Sequence, residues 1–329
     1  NVNSEITFNV APRTKALSQT QTDFDHNNVF VSYAYYLGPG KTWAANNSEA
    51  QMYIDGSTIS YNGNLWKNET TSYYWPKDGG SLTFFAYSYN KKDMTVGDNS
   101  GFACVWALGE DGQYQGGITG HFDVATNKNV DFLVADIAAD KTENENNYAH
   151  TGVPTLFRHK LSMVNVAANL AEDYANKKFI LNSVKFTNLC HYATYSQIPE
   201  KMIPGGNMFL SDQVYAENVG FEVKSGGLIA VPAEIKKGAG VEDGQYIYIP
   251  QEFNDDSYIV ITYTVETVVG NKVVKEECTK PVKVKDVFPK WEMGHRYTFN
   301  LTFSLNEIHW DPAVENWIDD EAGNITIDR

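Results

Sequence analysis

Hydrophobic and polar residues alternate along much of this chain with a period of two, the mark of strands that turn one face to a core and one to water. The longest such run is Tyr297-Thr-Phe-Asn-Leu-Thr-Phe-Ser-Leu-Asn306, apolar at every odd position and polar at every even one. Glu5-Ile-Thr-Phe-Asn-Val10 has the same pattern near the start, with Ile6, Phe8 and Val10 on one face, and Val29, Val31, Tyr33 and Tyr35 continue it. Ser81-Leu-Thr-Phe-Phe-Ala-Tyr-Ser-Tyr89 is apolar on both faces, which predicts a central strand covered on both sides. Asp131-Phe-Leu-Val-Ala135, Tyr246-Ile-Tyr-Ile-Pro-Gln251 and Tyr258-Ile-Val-Ile-Thr-Tyr-Thr-Val265 read as further strands, the last two joined by a turn at Asn254-Asp-Asp256. Over Lys280 to Val287, Val282 and Val284 alternate with Lys283 and Lys285, the composition of an edge or surface strand. Between Leu161 and Val164 the apolar phase slips, which predicts a β-bulge.

Breaks in the pattern divide the chain. Asp55-Gly56 between two β-rich runs predicts a two-residue hairpin turn. Residues 11–22 contain a proline, little apolar surface and much Thr, Ser and Gln, and read as an exposed connector. The most polar stretch, residues 140–152, places a boundary between domains at 1–151 and 152–329. Residues 171–178 are the one segment predicted to be helical. Many short strands with turns between them and no βαβ alternation predict an all-β protein of two antiparallel β-sandwiches in series.

Composition narrows the function. The 329 residues, 42% hydrophobic, suffice for a core that needs neither metal nor disulfide. The 26 basic and 41 acidic residues give a net charge of −15, which argues against binding nucleic acid or anionic lipid. Cys104, Cys190 and Cys278 are an odd set without C-x-x-C spacing, open to two readings: three buried free thiols, or a Cys190–Cys278 bridge that leaves Cys104 alone. No run reaches the roughly 18 to 20 apolar residues of a membrane span. The chain begins at Asn1 without a leader, so any export signal is expected to have been removed.

Catalytic motifs are missing: there is no G-x-S-x-G, H-E-x-x-H or G-x-x-x-x-G-K, and neither an enzyme nor a cofactor is expected. His159, beside Phe157 and Leu161, reads as a structural histidine, and His121 with Asp123 lacks a nucleophile at a recognisable spacing. Asp319-Asp-Glu-Ala-Gly-Asn324 has the hard oxygens that calcium takes but not the spaced order of an EF-hand loop, so a solvated turn is preferred. Trp66, Tyr73, Tyr74 and Trp75 read either as core or as a sugar-stacking platform, and the second reading gives the alternative function, a cell-surface glycan-binding protein. Of four arginines, Arg158 and Arg296 fall in predicted strands and Arg329 is terminal, which leaves Arg13 in the connector. A cut there would free the Ile6-Phe8-Val10 strand; the alternative is an ordinary surface arginine.

A set of motifs spread over the chain resembles the fimbrillin-like (type V) pilins of Bacteroidales. They are Ile6-Thr-Phe8 followed by Arg13-Thr-Lys-Ala16, Tyr74-Trp-Pro76 running through Gly79-Gly80 into Leu82-Thr-Phe-Phe-Ala-Tyr87, and Asp131-Phe-Leu-Val-Ala135. Phe157-Arg-His-Lys-Leu-Ser162, Ile249-Pro-Gln251 and the closing Trp291-Glu-Met-Gly294, Ile308-His-Trp-Asp-Pro312 and Trp317 complete the set. The resemblance implies two transthyretin-like sandwiches and export as an outer-membrane lipoprotein, lipidated on a cysteine just before Asn1. It also implies clipping by a trypsin-like, arginine-specific protease at the Arg13–Thr14 bond. The Ile6, Phe8, Val10 strand would then give way to a donor strand from another pilin subunit, by strand addition to an open groove. The implied function is a structural or adhesion subunit of a fimbrium, in stalk, tip or anchor position, with other pilin subunits as partners beside a surface ligand of host or bacterial origin.

Overall fold

A computed structural model of the protein describes residues 4–12, 24–94, 102–124, 130–144, 152–197, 208–209, 214–215, 232–238, 241–305, 308–310, 313–316 and 320–321. The regular elements among the described residues are nearly all strands, with helix limited to short turns such as Trp43–Asn46 and Val284–Val287. Two compact units form, one of Asn1–Lys160 with Ala193–Asp212, the other of Leu161–Tyr192 with Gln213–Arg329. The division thus falls after Lys160, not at the 151/152 boundary read from polarity. Its reason is that residues 153–159 are hydrogen-bonded into the first unit.

That unit contains β1 (Phe8–Pro12), β2 (Phe30–Leu37), β3 (Gln51–Tyr61), β4 (Trp66–Asn68), β5 (Ser81–Ser88), β6 (Ala103–Leu108), β7 (Tyr114–Asp123), β8 (Leu133–Ala135), β9 (Ala138–Lys141) and β10 (Val153–His159). The order β2-β3-β4-β1-β10-β8-β5 runs on into a β5–β2 pairing, so these seven strands close into a ring, with β9 attached to β5. Here the expected antiparallel sandwich is corrected: the sheet closes on itself, and β1 runs parallel to β10. A sandwich and a closed sheet bury the same alternating side chains, so the pattern alone does not separate them.

Inside the ring Phe30, Ile54, Ile59, Trp66, Phe84 and Phe157 form the core. Outside it, β5 and the neighbouring loops carry Phe85, Tyr87 and Phe132 against a second sheet made by β6, β7 and residues 193–196. Phe102 lies 4.6 Å and Phe122 5.6 Å from Phe132, ring centre to ring centre. β5 is therefore buried on both faces, as its two-sided apolar pattern predicts.

Asp55-Gly56 is not a hairpin turn. β3 runs straight through it, with Ser57 opposite Ser32 and Ile54 opposite Ala34, so the two residues face Tyr33 alone. This is a bulge, and Gly56 takes the φ of +71° it needs.

The other strands are β11 (Ser162–Leu170), β12 (Lys177–Thr187), β13 (Cys190–Ser196), β14 (Met208–Phe209), β15 (Val214–Tyr215), β16 (Ala233–Ile235), β17 (Val241–Tyr248), β18 (Gln251–Glu252), β19 (Tyr258–Val269), β20 (Lys272–Lys283), β21 (Lys290–Trp291), β22 (His295–Phe303), β23 (Ile308–Trp310), β24 (Ala313–Asn316) and β25 (Asp320–Glu321). In the second unit one sheet has the order β17-β11-β22-β24-β25, with β23 also on β22, and another has the order β16-β12-β19-β20. The two sheets face each other through Phe186 on Phe299 (5.1 Å) and Tyr263 on Phe303 (5.1 Å). Tyr297, Phe299, Leu301 and Phe303 all turn inward from β22, as their alternation predicts.

Residues 171–178 are not helical: bends and a turn lead into β12, which begins at Lys177. Eight residues are too few to nucleate a helix unaided. Their backbone is recruited by strands instead, Ala171 N–H donating to Phe303 O (2.9 Å) and Val268 N–H to Asn176 O (2.9 Å). The slip between Leu161 and Val164 marks the passage from β10 to β11, while the bulge itself lies between Val164 and Val166. All three cysteines are free, and burial pushes the Cys104 thiol up to about 12, far from the thiolate that redox chemistry needs.

Candidate functional site

β1 is where the sequence concentrates its functional signals, and its surroundings are unusual for a core strand. Residues 4–6 first run antiparallel to residues 73–75: Ile6 N–H donates to Tyr73 O (2.8 Å), Trp75 N–H to Ser4 O (3.1 Å), and Glu5 bridges Tyr74. The segment then changes partner. From Phe8 opposite Val153 to Pro12 opposite Phe157 it runs parallel to β10, while its pairing with β4 is confined to Phe8 opposite Trp66. Among the described residues, the end of β1 nearest Arg13 is thus laddered on one side only. Parallel ladders are also somewhat weaker per residue than antiparallel ones.

Side chains hold what the backbone holds loosely. Ile6 and Phe8 are each 3% exposed, and the Phe8 ring meets Phe30 at 5.5 Å and Phe84 at 5.7 Å, both edge to face. Burying two such side chains contributes roughly 1.5–3 kcal/mol each. Val10 packs against the same core but is only partly buried, so it adds less. Glu5 accepts from Ser72 Oγ (2.8 Å) and lies 3.6 Å from Lys67 Nζ, a partly exposed pair that adds little. Arg13 and Thr14 lie outside the described residues.

Two further features shape this groove. Thr7 is buried at 4% exposure and its hydroxyl finds no hydrogen-bond partner among the described residues, although its carbonyl accepts from Val153 N–H (2.7 Å). An unpaired buried hydroxyl costs on the order of 1–3 kcal/mol, so the resident strand fits its slot imperfectly. Gly152, just before β10, has φ +83°, and a Cβ there would stand 2.6 Å from the Phe8 carbonyl carbon and 2.9 Å from Asn9 N. Only glycine lets β1 lie so close. Gly152→Ala is accordingly expected to cost about 1–3 kcal/mol in strain and to loosen β1. The check is amide exchange at Val153, which should accelerate while the β22 amides do not; equal protection in both proteins would refute it.

β10, the strand that carries β1, is itself firmly braced. Arg158 donates from Nε (2.7 Å) and from its terminal nitrogen (3.2 Å) to the two oxygens of Asp136. His159 Nδ1 is 2.8 Å from Asp131, whose other oxygen accepts from Asn90 (3.0 Å), so this histidine sits in a structural hydrogen-bonded row. His121 contacts Thr194 Oγ1 at 3.0 Å on the second sheet. Trp66 and Trp75, 5% and 3% exposed, belong to the core, Tyr73 packs against it, and Tyr74 is exposed. The four therefore form no open platform. Asp320 and Glu321 of the acidic segment pair with Asn316 and Glu315 as a strand, and among the described residues no cluster of three metal-binding side chains occurs.

A family model described as fimbrillin-like matches residues 14–317. Among solved structures, a candidate cell-adhesion protein of Bacteroides ovatus is similar at 15% identity and a TM-score of 0.49, over 97% of this chain and 99% of its own. Another from Bacteroides uniformis aligns at 15% identity and a TM-score of 0.47, over 96% of this chain and 100% of its own. A fimbrial assembly protein of Parabacteroides distasonis aligns at 9% identity and a TM-score of 0.38, over 98% of this chain and 99% of its own. A search among curated proteins gives no match.

Proposed function

The chain belongs to the fimbrillin-like family, and on that premise we propose that it is a non-enzymatic fimbrial subunit of the cell surface, assembled when its leading strand is exchanged for a strand of another subunit. One observation carries this reading: the leading segment fills a core slot with Ile6 and with Phe8 of β1, yet among the described residues the end of β1 pairs with β10 alone, and the chain leads from there directly to Arg13. A cut at Arg13–Thr14 turns an intramolecular strand into a separable peptide. Its effective concentration at the slot then falls and another strand can compete. Arg158 and Arg296 support the choice of bond, since both lie within paired strands where an arginine-specific protease finds no extended loop. The unpaired Thr7 hydroxyl favours replacement by a strand with an apolar residue at that position.

On this reading the partners are other pilin subunits and an arginine-specific protease, and the chain reaches the surface as an outer-membrane lipoprotein. The second unit, with its two facing sheets, is the part that best fits a transthyretin-like sandwich. The position within the fibre is stalk, tip or anchor. Treating the full chain with an arginine-specific protease should give one early cut after Arg13 and then oligomers on size exclusion, whereas Arg13→Ala should stay whole and monomeric. Oligomers formed equally by the uncut variant would sink the exchange mechanism.

A further inference from the structure

Where β2 ends and β3 and β5 begin, with Tyr36 opposite Gln51 and Leu37 opposite Ser81, the rim of the closed sheet holds an open cleft of about 480 Å³. We propose that this cleft binds a neutral saccharide. Its walls are the rings of Tyr36 and Tyr53, 6.4 Å apart and inclined at 31°, a shallow V that is not closed by stacking. Both rings are locked by their own hydroxyls, Tyr36 donating to Asp78 and Tyr53 to the Tyr74 carbonyl. Gly80 makes room for the first of them, because a Cβ there would lie 2.3 Å from the Tyr36 ring. The cleft therefore presents fixed ring surface, extended by Pro76 and by Met52, which is 41% exposed.

Polar groups stand around that apolar floor. Among the described residues, the exposed side chains of Gln51 and Lys77 make no hydrogen bond or ion pair, and the Asp78 carboxylate that accepts from Tyr36 and from Gly80 N–H (2.9 Å) is exposed with lone pairs to spare. A pyranose matches this combination: its C–H face lies on an aromatic ring, and its hydroxyls need both donors and acceptors at the edges. The volume falls within the usual range for small ligands. Lys77 and Asp78 are of opposite charge, so the cleft carries no net charge that would select an ionic ligand over a neutral one. The residues are distinct from the Trp66 to Trp75 group considered from sequence. The proposal also stands apart from strand exchange, because the cleft is complete in the uncut chain.

Saturation-transfer NMR on the full, uncleaved chain tests it, with methyl pyranosides, maltose and cellobiose as neutral probes, sialyllactose as the acidic one and a proline-rich peptide as the non-sugar one. A neutral saccharide is expected to receive saturation. Gln51→Ala and Lys77→Ala, both on the surface, should keep the melting temperature and weaken that binding about tenfold each, the scale of one lost hydrogen bond. Transfer to the peptide or to sialyllactose alone, no transfer to any sugar at millimolar concentration, or binding that neither variant changes would each overturn the proposal.

Discussion

Phe8→Ala is expected to lower the stability of the first unit by about 3–5 kcal/mol, the range for deleting a buried phenylalanine. The ring is 3% exposed between Phe30 and Phe84, and both of those are held by their own strands, so the walls have little freedom to collapse into the space. The loss also reaches β1 itself. With Val10 only partly buried, Ile6 would be the single large described side chain fully holding the leading segment, and among the described residues the backbone ladder of β1 beyond Phe8 is one-sided. Urea titration should therefore give a lower midpoint, and limited digestion with an arginine-specific protease should release the leading peptide faster than in the parent. An unchanged midpoint would mean that β1 is not a stave of the core.

A second large effect should appear as pH dependence. Lys160 is 2% exposed, and burial first, then the nearby Arg158 charge, hold its ammonium down to about 7 from an ordinary 10.5, with Asp136 pulling weakly the other way. Between those two values the unfolded chain carries the proton and the folded chain does not, so stability rises with pH across the window. Below about 7 both states are protonated and the cost of the buried charge is fully present, at most about 5 kcal/mol for a shift of this size. Lys160→Met should thus stabilise the protein at pH 6 and lose that advantage progressively toward pH 10. Urea midpoints of both proteins across this range decide the matter: a gap that stays constant with pH would exclude the lysine as its source.

What could be read from the sequence follows from the range of each signal. Alternation is local, so the inward faces of β22 and the double burial of β5 were visible in their own residues, whereas the alternation read over residues 280–287 is strand only as far as Lys283, where β20 ends at the sheet edge, and Val284–Val287 form a short helix. Strand partners are not local. Nothing within Ser81–Ser88 says that β5 pairs back to β2, and nothing in the leading strand says that it lies parallel to residues more than a hundred positions away. The same limit explains Gly56: a glycine after an aspartate permits a turn and a bulge equally, and the uninterrupted partner β2 decides. In the groove, Ile6 and Phe8 announced themselves by spacing, whereas Gly152 acquires its meaning only from the backbone laid against it. Its place at the end of a polar run is equally that of a linker glycine.

The ring of the first unit has seven members, and seven is odd. Strands that alternate in direction can close a circle only in even number, so one neighbouring pair must run the same way, and here that pair is β1 with β10 while the other six are antiparallel. Take β1 away and the remaining six alternate without conflict, up and down in turn. Any strand that afterwards completes the circle inherits the mismatch: it meets β4 or β10 in parallel, whichever way it points. The vacancy therefore has no polarity that satisfies both of its edges. A newcomer opposite in direction to β1 would place its antiparallel side along β10, the longer edge, and its parallel side on the short β4.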